Sequence, residues 1–179
     1  MAKTTRWRRF KADLTGESDR WGRTVLYGVV FARLAFATVM LAIVLVYELS
    51  TGQTAPSSIL SGTSTTISEV NAIEIFDAVL FAPLWESLAL AFLVWLMSSK
   101  FGWRPWITAL VCALIFAPLH GLSIGSLVIG LFFWQMALVQ CNWMRRGDGL
   151  GGYWIVVTMH AIWNGSAYLS KAMSPFASG

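Results

Sequence analysis

Long apolar segments dominate this chain and limit what it can fold into. Five of them, at about residues 24–47, 72–97, 105–120, 124–142 and 152–170, are each close to the ~20 residues that cross a bilayer as a helix. Hydrophobic residues make up 56% of the 179 positions and charged residues only 12%, which is far from the composition of a soluble domain. Because main-chain polar groups must be satisfied inside lipid, we expect these segments to be helices.

We therefore predict an all-α fold: a polytopic membrane helix bundle of about five transmembrane helices, surrounded by the lipid bilayer. It forms one domain at residues 24–171, after a basic segment at residues 1–23 and before a short tail at residues 172–179. The third and fourth spans are joined by little more than residues 121–123, so they form a tight helical hairpin.

Basic residues predict the orientation of the bundle. Residues 1–23 contain seven Lys and Arg residues, the loop after the second span has Lys100 and Arg104, and the loop after the fourth has Arg145 and Arg146. The loop at residues 48–71 has none. By the positive-inside rule the N-terminus is cytoplasmic and, with five spans, the C-terminus lies outside. We expect a multi-pass protein of a bacterial cytoplasmic membrane.

The net charge of +4 is better explained by anionic lipid head groups than by nucleic acid, because no aromatic or glycine motif accompanies the basic residues. Cys112 and Cys141 lie in apolar runs without metal or redox spacing, so we interpret them as small buried hydrophobes. Arg33, inside the first span, is expected to reach the interface or to pair inward.

Polar residues inside the apolar spans are the strongest functional signal. They are Glu86 in the second span, His120 at the end of the third, and His160 with Asn164 in the fifth. The two histidines are the only ones in the chain. A charge at the bilayer centre costs on the order of 2.5 kcal/mol or more, so such residues are functional candidates by default.

A short repeat accompanies two of these residues. Phe-Ala-Pro-Leu at residues 81–84 precedes Trp85 and Glu86, and the same letters at residues 116–119 precede His120. Proline frees a carbonyl one turn earlier, and a membrane helix tolerates this where water or a neighbouring helix replaces the lost bond. We therefore expect a small hydrated pocket here. His160 and Asn164, four residues apart, share one helix face.

These four residues suit the attack of water on an amide. A carboxylate can take a proton from water that an imidazole helps to orient. A second histidine and an asparagine on one helix face can donate hydrogen bonds to the developing oxyanion.

The motifs resemble those of the CAAX protease and bacteriocin-processing (CPBP, or Abi) family of intramembrane endopeptidases. Glu86 after Ala82-Pro83 matches the first glutamate of the family's Glu-Glu-x-x-x-Arg motif. Residues 116–120 match Phe-x-x-x-His, and residues 160–164 match the late His-x-x-x-Asn. The resemblance covers about residues 79–166.

The resemblance implies that Glu86 and His120 activate water while His160 and Asn164 form the oxyanion site. The substrate would be a membrane-anchored protein or peptide. Members of the family are discussed both as metalloproteases and as metal-free glutamate proteases. We favour no cofactor; if a zinc ion is used, its ligands would be Glu86, His120 and His160.

The chain departs from the family at two positions, because Ser87 replaces the second glutamate and Ala91 replaces the arginine. Loss of both removes a supporting ion pair without leaving a lone charge. This suits a divergent active member, and the alternative is a catalytically decayed member that acts as a membrane binding or assembly subunit. A haem protein with His120 and His160 as axial ligands is a further alternative, as is a transporter or proton relay.

Overall fold

The structure, a computed structural model, describes residues 2–15, 17, 20–53, 72–121 and 124–173. The regular structure within these ranges is entirely helical, which confirms the predicted all-α class. The six helices are α1 (Ala2–Leu14), α2 (Trp21–Thr51), α3 (residues 72–100), α4 (Pro105–Leu119), α5 (Ile124–Arg145) and α6 (Gly149–Met173).

All five apolar segments are helical where they are described, and three of the helices are long and apolar enough to cross a membrane: Trp21–Thr51, Ile73–Lys100 and Gly125–Arg145. Helix α4 is apolar but has only 15 residues. Helix α6 has 25 residues and is less apolar, since it carries His160, Asn164 and Ser166. The finding supports a membrane protein, and the count of five spans stays a prediction.

Parts of four predicted features lie outside the described residues. These are residues 1, 16, 18 and 19 of the basic segment, residues 54–71 of the loop without basic residues, residues 122–123 of the hairpin connection, and residues 174–179 of the tail.

Helix α5 is the centre of the bundle. Its side chains from Phe132 to Cys141 are almost all buried, and Phe133, Met136 and Val139 have no exposed surface at all. Helices α2, α3, α4 and α6 all pack against it. By contrast, α2 leaves leucines such as Leu34 and Leu49 exposed along its outer side. Apolar surface of this extent is normal only where lipid or another apolar partner covers it.

The basic N-terminal segment contains a helix that packs on the bundle. Phe10 of α1 meets Tyr27 of α2 with ring centroids 5.4 Å apart. The Asn142 amide of α5 donates to the main-chain carbonyl of Thr15 at 2.7 Å, and Asp13 is buried. The C-terminal part of α1 and Thr15 after it are thereby held next to the C-terminal end of α5, which carries Arg145.

Helices α3 and α6 run antiparallel. The Tyr153 hydroxyl of α6 donates to the Leu84 carbonyl of α3 at 3.3 Å, and the Asn164 amide donates to the Ala78 carbonyl at 2.7 Å. The residue number therefore rises along α6 as it falls along α3. This pair of helices carries three of the four polar residues that the sequence singled out: Glu86, His160 and Asn164.

Gly152 allows α6 to begin close to the end of α5. A Cβ atom at this position would lie 2.8 Å from the Cβ of Trp143 and 3.1 Å from Oε1 of Gln140. The Cβ of a tryptophan moves only with its main chain, so the two helices would have to separate. The Gln140 amide also donates to the Gly149 carbonyl at 3.1 Å, which ties the same two helix ends together.

We predict that Gly152→Ala lowers the free energy of unfolding by about 1–3 kcal/mol, the usual cost of overpacking. The matched control is Gly22→Ala in the first turn of α2, where an added Cβ has nothing within 4 Å. That change should be neutral, or stabilising by up to ~1 kcal/mol through helix propensity. Thermal unfolding in detergent measures both, and a shift of Tm in the same direction for the two variants would contradict the packing argument.

Candidate functional site

The helix that carries Glu86 is irregular just before it. Residues Asp77–Phe81 form a π-helical turn, in which the N–H of Ala82 donates to the carbonyl of Asp77, five residues back. The carbonyl of Ala78 therefore lacks its α-helical donor. Its π-helical donor would be residue 83, which is a proline and has no N–H. The Asn164 side chain of α6 donates to this carbonyl at 2.7 Å and replaces the missing bond.

His120 is held at the end of α4 by its own helix. Its N–H bonds to the carbonyl of Ala117, and Gly121, with φ of +108°, ends the helix in a conformation that glycine adopts without strain. Nδ1 of the imidazole lies 2.9 Å from the carbonyl oxygen of Phe116. A carbonyl can only accept, so Nδ1 carries the hydrogen and Nε2 is turned away from the helix.

Glu86, His120 and His160 come together at one carboxylate oxygen. Oε2 of Glu86 lies 3.4 Å from Nε2 of His120 and 3.6 Å from Nε2 of His160. These are ion-pair separations, longer than the 2.7–3.2 Å of an ordinary hydrogen bond. The side chains of Glu86 and His120 are 31% and 27% exposed, whereas that of His160 is 4% exposed. The cluster thus has one open edge, formed by Glu86 and His120, and one closed wall, formed by His160.

Aromatic rings from α5 hold the two imidazoles. The Phe133 ring lies 5.3 Å from that of His120 and 5.5 Å from that of His160, centroid to centroid. Phe132 meets His160 edge-on at 6.0 Å. The two ring contacts of His160 are edge-to-face, which is favourable for aromatic pairs, and the Phe133–His120 contact is tilted by 46°. The central helix therefore packs against both histidines.

Proton sharing follows from this geometry. With Nδ1 of His120 donating to Phe116, a neutral imidazole offers a lone pair at Nε2, and an ionised carboxylate also offers only lone pairs. The contact with Glu86 is attractive when one of the two partners holds a proton. A carboxyl–imidazole pair that shares one proton at a half-exposed edge can take a proton from water and release it again.

Asn164 lies one helical turn beyond His160 and contacts a different part of α3. Its amide nitrogen bonds to Ala78, eight residues before Glu86, which is about 12 Å along a helix. The four predicted site residues therefore divide into a cluster of three and a fourth that supports the irregular turn. Oxyanion donation by Asn164 stays a prediction, and the second N–H of its amide is the group that would carry it.

The two positions that depart from the family motif lie on the protein side of α3. Ser87 is 1% exposed, and its hydroxyl has no hydrogen-bond partner among the described residues. Ala91 is half-buried. A carboxylate at residue 87 would be buried away from water and would need a cationic partner such as an arginine. The chain has neither a glutamate at residue 87 nor an arginine at residue 91, so neither position carries an unpaired charge.

Two residues that the sequence did not identify as site residues also act on these helices. Tyr153 donates to the carbonyl of Leu84, two residues before Glu86. Arg33 of α2 pairs inward, one of the two expected outcomes. Its guanidinium donates to the Trp163 carbonyl and the Ser166 hydroxyl and lies 4.0 Å from the centre of the Trp163 ring. No spacing rule in the sequence signals either contact, because both join distant helices.

The donor set satisfies the requirements of zinc only in part. Two ligand atoms on tetrahedral zinc lie about 3.3 Å apart, close to both distances from Glu86. However, the described part of the chain has no group of three or more His, Cys, Asp or Glu side chains placed to hold a metal ion. Nδ1 of His160 is buried without a hydrogen-bond partner there, whereas a metal-bound histidine usually has one. These residues do not form a complete zinc site, and the steps proposed below involve no metal.

Comparison with protein-family profiles, with characterised proteins and with solved structures gave no match to this chain.

We predict that Asn164→Ala destabilises the protein by about 1–3 kcal/mol, because it leaves the Ala78 carbonyl without a partner. In a Pro83→Ala background residue 83 gains an N–H that can donate to the Ala78 carbonyl. Asn164→Ala should then lower the free energy of unfolding by less. Thermal or denaturant unfolding of the four chains measures this coupling. Equal costs of Asn164→Ala in both backgrounds would show that Asn164 does not compensate for the proline.

Proposed function

We propose that this protein is an intramembrane endopeptidase that cleaves a membrane-associated protein or peptide with water activated by Glu86 and His120. The observation that carries the proposal is the position of one carboxylate oxygen, Oε2 of Glu86, at 3.4 and 3.6 Å from two imidazole nitrogens. The order and spacing of the motifs, which resemble those of the CPBP family, support the same reaction class.

The proposed reaction begins at the open edge of the cluster. Glu86 takes a proton from a water molecule that His120 helps to orient, and the water oxygen forms a bond to the carbon of the scissile amide. The negative charge that develops on the amide oxygen accepts hydrogen bonds from His160 and from the free N–H of Asn164. The proton held by the Glu86–His120 pair then passes to the amine nitrogen, and the C–N bond breaks.

The membrane arrangement proposed for this reaction has five spans, with the N-terminus in the cytoplasm. In this arrangement α2, α4 and α6 run outward and α3 and α5 run inward, in agreement with the antiparallel contact of α3 and α6. The short helix α4 reaches His120 at its outer end, and Glu86 lies near the middle of α3. We propose the cytoplasmic membrane of a bacterium as its location.

The leading alternative is a non-catalytic family member that binds or assembles with other membrane proteins. Ser87 and Ala91 are the residues that favour it, because they remove the ion pair next to Glu86. A haem protein is less compatible with the cluster. The Nε2 atoms that would bind iron in His120 and His160 both face the Glu86 carboxylate. An absorption spectrum without a Soret band would exclude haem.

We predict that Glu86→Gln and His120→Ala each abolish cleavage while the protein stays folded. Cells that express wild type, either variant, or the control Glu74→Gln would be compared by sequencing the new N-termini of their membrane proteins. Glu74 is an exposed acid on the same helix. We expect cleavages that occur with wild type and with Glu74→Gln and that are missing with Glu86→Gln and His120→Ala.

The same substrates allow the remaining roles to be measured. His160→Ala and Asn164→Ala should each slow cleavage by ~10²–10³, the usual cost of losing an oxyanion donor. A chelator should leave the wild-type rate unchanged. Identical cleavage by wild type and Glu86→Gln would overturn the mechanism, and no cleavage by any chain, wild type included, would favour the non-catalytic alternative.

The topology predicts which introduced cysteines react from outside the cell. Gln53→Cys after α2 and Ser178→Cys in the tail should be labelled by an impermeant maleimide in intact cells, and Ser99→Cys only after permeabilisation. Cys112 and Cys141 are buried free thiols and give little background. If Ser178→Cys, like Ser99→Cys, were labelled only after permeabilisation, the tail would lie on the cytoplasmic side and five spans would be excluded.

A further inference from the structure

A cavity lies between the N-terminal helix and the bundle, and none of its lining residues belongs to the glutamate–histidine cluster. Its volume is about 240 Å³, and it is lined by α1, α2 and α5. Five apolar side chains form most of its wall: Phe10, Leu14, Phe31, Trp134 and Leu138. We refer to it as the α1 cavity.

The size of the α1 cavity limits its occupant. It is larger than the ~150 Å³ apolar cavities that hold a benzene molecule. It is too small for a helix, whose diameter with side chains is about 10–12 Å. A slender apolar chain fits these limits. In a protein surrounded by lipid, an acyl chain is the most abundant molecule of that shape.

Cations lie beside the α1 cavity. Lys11 is part of its lining and is exposed, and no acidic partner is described for its ammonium group. Arg8, one turn earlier on the same helix, and Arg9 are exposed as well. The acid of this helix, Asp13, is buried instead. The outer side of α1 therefore offers positive charge next to an apolar cavity, which complements an anionic head group attached to an acyl chain.

We propose that the α1 cavity binds one anionic glycerophospholipid, with an acyl chain between α1, α2 and α5 and the phosphate next to Lys11 and Arg8. Bound in this way, the lipid connects the polar helix α1 to the apolar surfaces of α2 and α5. The site is separate from Glu86 and its histidines and does not depend on the proposed peptidase activity.

The test is a titration of delipidated full-length protein in detergent, followed by native mass spectrometry. Phosphatidylglycerol and phosphatidylcholine with identical acyl chains are the two probes. We expect one phosphatidylglycerol per chain, bound about tenfold or more tightly than phosphatidylcholine, as several basic contacts predict. Equal binding of the two lipids, or no bound lipid, would overturn the proposal.

Two pairs of variants locate the lipid. Leu138→Trp fills the cavity and should abolish the preference for phosphatidylglycerol, whereas Leu131→Trp, at an exposed position of the same helix, should keep it. Lys11→Glu should weaken phosphatidylglycerol binding about tenfold, whereas Arg104→Glu, at an exposed position just before α4, should not. If Leu138→Trp does not fold, the Lys11 pair decides alone.

Unchanged binding in Lys11→Glu, or equal losses in Lys11→Glu and Arg104→Glu, would place the lipid elsewhere. A dimer that Leu138→Trp dissociates would assign the cavity to a second copy of the chain and would also overturn the proposal.

Discussion

The need to stabilise the carboxylate of Glu86 is the constraint on which the arrangement of the helices depends. An acid inside an apolar helix bundle is costly unless other groups stabilise its charge or share its proton. Here two imidazoles from two other helices approach the same oxygen, and α5 supports both with Phe132 and Phe133. The requirement to solvate one side chain thereby fixes the mutual positions of α3, α4, α5 and α6.

The irregular part of α3 shows a second requirement of the same kind. The π-helical turn and Pro83 leave the Ala78 carbonyl without a main-chain donor, and α6 supplies one through Asn164. Arg33 binds the opposite side of α6 through the Trp163 carbonyl. Helix α6 is thus held by polar contacts on two sides, within about two turns after His160. These polar side chains fix the position of α6 and, with it, the position of His160.

The sequence predicted the helices well, because apolar runs of about 20 residues leave few alternatives in lipid. The proximity of Glu86 to the histidines could also be predicted, because the order of these residues and their depth in the membrane permitted contact. The hydrogen bond between Asn164 and Ala78 could not be predicted, because the change of hydrogen-bond register at residues 77–81 has no signature in the sequence. The packing of α1 was not predicted either: its composition is polar, and among its described side chains Phe10, Ala12, Asp13 and Leu14 are buried or half-buried.

The central claim, a working contact between Glu86 and the histidines, is tested most directly by a double-mutant cycle on stability. The four chains are wild type, Glu86→Gln, His120→Ala and the double variant, each unfolded in the same lipid–detergent mixture. We expect the effects of the two changes on the free energy of unfolding to be coupled by about 0.5–3 kcal/mol, as for side chains in contact. Costs that add to within about 0.3–0.5 kcal/mol would show that the two residues act independently and would contradict it.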